Sequence, residues 1–196
     1  MRIVEILFYD TNKIKLVVEM PDANRYTTDT FPELPISLFE LFPHLAEHRC
    51  HNEYGYSFRR EARNTEIPHL LEHLIIELQT QAQRHEVLKG ETQWNWRVDP
   101  RGTFHVHVEY ENEQLVLAAV RLAERIVNAI DRQDLQVIDI DAEVARLREL
   151  AQLGADLRGQ PPPEGPPRGL ELAAVPAGIK GGRAPARRGS RKRRQS

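Results

Sequence analysis

The segment from Thr65 to Arg84 constrains the fold of this chain more than any other. Leu70, Leu71, Leu74, Ile75 and Leu78 recur at helical spacing, and at about 100° per residue they fall on one side of a helix. His69, Glu72, His73 and Glu77 fall on the other side. Thr65 is a candidate N-cap, and Pro68 suits the first turn, where a missing N–H costs no intrahelical bond. A helix with so continuous an apolar stripe has to bury it against another layer.

The rest of the chain supplies that layer. Residues 2–9 and 12–20 are rich in aliphatic and aromatic side chains and flank Asp10-Thr11-Asn12, which predicts a hairpin. From Ser37 to about Ala46, Leu38, Phe39, Leu41, Phe42 and Leu45 keep helical spacing, with Pro43 at an end or a kink. Two more strands are expected over Gln93–Asp99 and Thr103–Glu111, joined by the turn Pro100-Arg101-Gly102. An amphipathic helix follows over 113–131. Asp139-Ile-Asp141 then caps a last helix, with Val144, Leu147 and Leu150 on its apolar side. Hairpins alternating with helices predict an α+β fold of two layers, a mostly antiparallel sheet built from two hairpins with helices packed on it.

Charge and composition divide the chain in two. Residues 158–196 hold 7 of the 13 prolines, 7 of the 11 glycines and 10 Lys/Arg against two glutamates. Residues 1–157 therefore keep 17 basic and 27 acidic side chains, so a near-neutral whole conceals an acidic domain and a basic, Pro/Gly/Arg-rich tail. The tail has too few large apolar residues to offset chain entropy, and disorder is expected there. Its run Arg187-Arg-Gly-Ser-Arg-Lys-Arg-Arg194 suits non-specific contact with polyanions. No apolar run approaches the ~20 residues needed to span a bilayer, and the N-terminus reads as a strand, not a signal peptide. A soluble, cytoplasmic protein without membrane contact is expected. Cys50 is the only cysteine, which excludes an internal disulfide.

All eight histidines lie between His44 and His107. His69-x-x-Glu72-His73 is the inverted form of the zinc-peptidase helix motif, in which histidines four apart offer two imidazoles to one metal and the glutamate serves as general base. Zn2+ is the expected ion, since it takes neutral imidazole and activates water at neutral pH. A third ligand is needed. His48 is the preferred candidate because one helix seldom supplies three ligands, with Cys50 in the same loop or Glu77 on the helix as substitutes. Glu77 alternatively orients a histidine through its second ring nitrogen. The competing reading is an ordinary solvated helix face, against which His44, His48, Cys50 and His51 in the preceding loop weigh. His105 and His107 alternate on one strand face and are read as surface or supporting residues, and His85 as exposed.

Phe42-Pro-His-Leu-Ala-Glu-His-Arg-Cys50 followed by Ile67-Pro-His-Leu-Leu-Glu-His-Leu-Ile-Ile-Glu-Leu-Gln-Thr80 resembles the N-terminal domain of cyanophycin synthetases. Arg97–Glu111, Ala118–Asp131 and Asp141–Leu150 extend the likeness, which covers roughly residues 1–155. The resemblance implies a domain that holds the growing cyanophycin chain, a poly-aspartate backbone bearing arginine on its side chains. It also implies, as in many members, a metallopeptidase-like site that cuts the polymer into primers. His69, Glu72 and His73 match the motif, and His48, Cys50 and Glu77 its surroundings. No Gly-x-x-x-x-Gly-Lys-Ser/Thr loop is present, so a free-standing relative without the ATP-grasp and Mur-ligase-like modules is expected. The expected function is zinc-dependent hydrolysis of cyanophycin or a related Asp/Arg polymer. The alternative is a non-catalytic module that binds the polymer or a synthetase. Asn52–Phe58 departs from a glycine-richer stretch in the family, at a loop that could line the substrate groove.

Overall fold

The computed structural model describes residues 1–50, 56–83, 88–157 and 159. Four strands, β1 (Arg2–Tyr9), β2 (Lys13–Glu19), β3 (Gly90–Gln93) and β4 (Thr103–Glu109), form one antiparallel sheet in the order β1-β2-β4-β3. Five helices accompany it among the described residues: α1 (Glu33–Leu41), α2 (Phe58–Glu61), α3 (Ile67–Ala82), α4 (Glu113–Arg132) and α5 (Ile140–Leu157). The fold is the expected α+β arrangement of two hairpins with helices packed on the sheet. At its centre Ile14, Leu16 and Val18 of β2 oppose Val108, Val106 and Phe104 of β4, all buried. The alternating residues Lys13, Lys15, His105 and His107 point to the other face, as the period of two requires.

Several boundaries differ from expectation. The helix expected from Ser37 starts earlier, at Glu33, and Pro43 opens a separate 3-10 turn, Pro43–Glu47, because its ring cannot continue the α-helix. The strand expected over 93–99 instead ends at Gln93 and begins at Gly90. Past that point the Asn95 carbonyl accepts from the amides of Val98 and Asp99, both at 2.9 Å, which turns the chain. Trp94 and Trp96 then pack on Phe104, with ring centroids 5.8 and 5.6 Å away, so aromatic burial replaces ladder pairing. Gly102 ends this connection at φ 92°, in the region that favours glycine, and its carbonyl accepts from Met20 N at 2.9 Å. Thr65 does not cap α3. Glu66 takes that position without a side-chain capping bond to the helix amides, and Pro68 lies in the first turn.

The last two helices start where their caps lie. Asn112 Oδ1 accepts from the amides of Gln114 and Leu115, and Asp139 Oδ1 accepts from Ala142 N at 3.0 Å. The tail from residue 160, together with His51 and His85, lies outside the described residues. Among those described, no helix is long and apolar enough to cross a membrane.

Candidate metal centre

Every residue of α3 except His69 and Gln81 is buried, because the sheet, α4, α5 and the Pro43–Glu47 turn all pack around it. The ordinary solvated face is therefore excluded. Glu72, His73 and Glu77 are each only 2 % exposed. Polar groups at such depth need partners, since an unpaired one costs about 1–3 kcal/mol.

The segment after the 3-10 turn lays His48 and Cys50 against the first half of α3. Cys50 Sγ lies 3.3 Å from His69 Nε2, and the other nitrogen of that ring, Nδ1, lies 2.7 Å from Thr65 Oγ1. His73 Nδ1 is 3.1 Å from His48 Nδ1, and His48 Nε2 is 2.8 Å from Glu77 Oε2. Gln81 Nε2 donates to the remaining oxygen, Glu77 Oε1, at 2.8 Å. Phe58, fully buried in α2, stacks on His73 with ring centroids 3.7 Å apart and meets His69 edge-on at 5.9 Å. One nitrogen or sulfur atom from each of Cys50, His69 and His73 falls within 4.8 Å of the others.

This group can hold a metal ion. One thiolate and two imidazoles suit a borderline-soft cation such as zinc and leave a fourth position open. A second observation agrees: His73 Nε2 is buried and has no hydrogen-bond partner. Burial holds the His69 imidazole down to about 4, and it holds His73, which also faces His69 and His48, well below the usual histidine range. Both rings are thus neutral at pH 7, the form a metal takes. Burial, then the charges of Glu72 and Glu61, push the Cys50 thiol up to about 12, so its proton leaves only when a cation replaces it.

Glu72 lies beside this group. Its Oε2 accepts from Thr92 Oγ1 at 2.6 Å, and its side chain packs against Gly90, where an added Cβ would stand 2.6 Å from Cδ. Burial raises its pKa to about 8 against the lowering effect of the Thr92 hydrogen bond. The structure thus sets Cys50 against the two helix histidines, Glu72 on β3, and His48 with Glu77 behind His73. His105 and His107 project from the sheet face opposite the buried Phe104, Val106 and Val108. His105 Nε2 meets Asp99 Oδ2 at 3.0 Å, and His107 stacks on Tyr9.

The matched portion of the chain runs from residue 14 to residue 132 in a family model described as the cyanophycin synthase-like N-terminal domain. The chain belongs to that family. No curated protein matches it. The stretch shared with the cyanophycin synthase-like family runs from β2 to the end of α4 and contains every residue of the centre. β1 and α5 lie outside it. Within this family domain Thr65, Phe58, Gly90 and Thr92 join the site without a motif to announce them. Thr65 reads as a cap in sequence, Phe58 as one more loop aromatic, and Gly90 and Thr92 precede the segment with strand-like composition.

Proposed function

We propose that this protein is a metal-dependent hydrolase of cyanophycin or a related Asp/Arg polymer. The observation that carries this reading is the cluster of Cys50, His69 and His73, with the Nε2 of His73 buried and without a partner, beside the carboxyl of Glu72. A zinc ion held by these three would supply Lewis-acid polarisation of the scissile amide and a lowered pKa for water. Glu72 takes the general-base role. Thr92 fixes Oε2, leaving Oε1 to accept a proton from water while the water oxygen bonds the amide carbon. The C–N bond then breaks, and the proton held at Oε1 passes to the leaving nitrogen. A carboxyl whose pKa lies near 8 gives up and takes back a proton easily at neutral pH, and a nearby cation favours its ionised form. The excess of 27 acidic over 17 basic side chains in residues 1–157 complements arginine-bearing polymer.

That same acidic excess supports a second reading, a polymer-binding or synthetase-binding module in which metal plays no part. One experiment separates the two. Zinc-loaded protein incubated with cyanophycin should release short fragments, and Glu72→Gln should release at least a hundredfold fewer, the usual scale of a general base. Equal yields from both proteins would end the hydrolase reading. Polymer binding that survives chelation and His69→Ala would then support the module.

A further inference from the structure

Behind His73 lies a row of hydrogen-bonded groups that the proposed hydrolysis does not use. Gln81 Nε2 bonds Glu77 Oε1, Glu77 Oε2 meets His48 Nε2, and His48 Nδ1 meets His73 Nδ1. His48, His73 and Glu77 are 6, 2 and 2 % exposed, so no bulk water competes for these atoms. The direction of the row follows from its end. A carboxylate only accepts, so the His48 proton sits on Nε2, facing Glu77. Neutral His48 is then a bare acceptor at Nδ1. His73 must donate to it from its own Nδ1, and its Nε2 is left as a lone pair. Nε2 is also the His73 atom with no partner. If His48 were instead protonated on both nitrogens, His73 Nδ1 would accept and Nε2–H would be a buried donor facing nothing, at a cost of about 1–3 kcal/mol.

From this we infer that Glu77 and His48 are positioning residues, which hold His73 as the Nδ1–H tautomer and so make Nε2 its metal-binding atom. The inference rests on the metal centre proposed above. In this role His48 does not touch the metal. Glu77 acts on the centre through two hydrogen bonds, and Gln81 keeps its second oxygen occupied so that the carboxylate cannot turn away.

The test reads protons directly. In metal-free protein with 15N-labelled histidine, long-range 1H–15N spectra at pH 7 should show His73 protonated on Nδ1 and His48 on Nε2. His73 protonated on Nε2, or His48 protonated on both nitrogens, overturns the inference. In the 113Cd-loaded protein, cadmium should couple to Nε2 of His73 and to neither nitrogen of His48. Coupling to Nδ1 of His73, or to His48, overturns it equally. Zinc affinity by chelator competition adds a graded readout. Glu77→Leu should bind 10- to 100-fold more weakly, the usual effect of losing such an outer partner. Glu77→Gln keeps an oxygen acceptor for His48 and should stay within a few-fold of wild type. Equal losses in the two variants would mean that Glu77 only fills space, against the inference. Wild-type protein that takes up neither zinc nor cadmium would sink the metal centre itself, while the metal-free spectra still decide the tautomer.

Discussion

At the scale of single residues, burial converts an ordinary-looking helix face into a set of groups held away from their charged forms. Glu72 shows the consequence most directly, because its pKa rises from 4.5 to about 8 on folding. A carboxyl whose folded pKa lies above its unfolded value binds more protons in the folded state. Its stabilising effect is full below pH 4.5 and is lost as the pH rises toward 8. Metal-free Glu72→Gln keeps the shape and removes the titration. Its unfolding free energy relative to wild type should therefore climb steadily between pH 5 and pH 8, by on the order of a few kcal/mol in all, as read by chemical denaturation. A difference that stays flat across this range in chelator-treated samples would refute the buried, protonated state of Glu72. The residues of the motif were legible in sequence because their spacing is local, and helical periodicity alone puts His69, Glu72, His73 and Glu77 together. Thr92 and Gly90 were not legible, since only the pairing of β3 with β4 brings them to Glu72.

At the scale of elements, helices announced themselves better than strands. Asp139 was readable as a helix start because a cap is a bond between near neighbours, and the Asn112 cap of α4 is a bond of the same local kind. Removing one makes a simple measurement: Asn112→Ala loses acceptance from two α4 amides and should cost about 1–2 kcal/mol in chemical denaturation, with an unchanged denaturant slope. No loss would mean that tertiary packing alone sets the start of α4. Asn112 also carries tertiary weight, because Gly154 of α5 packs so closely on its Nδ2 that any side chain there would collide with it. β3 was misplaced for a physical reason. Trp94, Trp96 and Val98 have strand-like composition, yet the two indoles gain more by covering Phe104 and, for Trp96, Tyr26 than by extending the ladder. Thr65 misled in a similar way. Its hydroxyl, one position before the N-cap Glu66, lies against His69 Nδ1 one turn on instead of bonding the first helical amides.

For the whole molecule, the centre joins two parts of the chain that are otherwise held by packing and by the bonds of His48: the segment carrying Cys50, and α3 carrying His69 and His73. A ligand that binds only the folded form stabilises it by mass action, about 2.7 kcal/mol at a hundredfold excess over its dissociation constant. For a protein of this size zinc at that excess should raise the melting temperature by roughly 5–10 °C, and chelation should reverse the rise. A melting temperature indifferent to both would argue against a structural link through the metal. The architecture, two hairpins and their helices, was legible from element order. What sequence did not disclose is depth: a helix with one apolar stripe and one polar face reads as a surface helix, whereas α3 is enclosed on all sides.

That enclosure bears on how the protein can change over generations. A surface helix offers a free flank on which substitutions accumulate without selection noticing them. α3 has none, since one side is apolar core and the other is bonded polar interior. In a saturation library selected for soluble expression, the positions from Ile67 to Thr80 should tolerate fewer alternatives than the exposed positions of α4 such as Arg121 and Arg125. Divergence among relatives should then collect on the outer helices, with α3 as the slow clock of the fold.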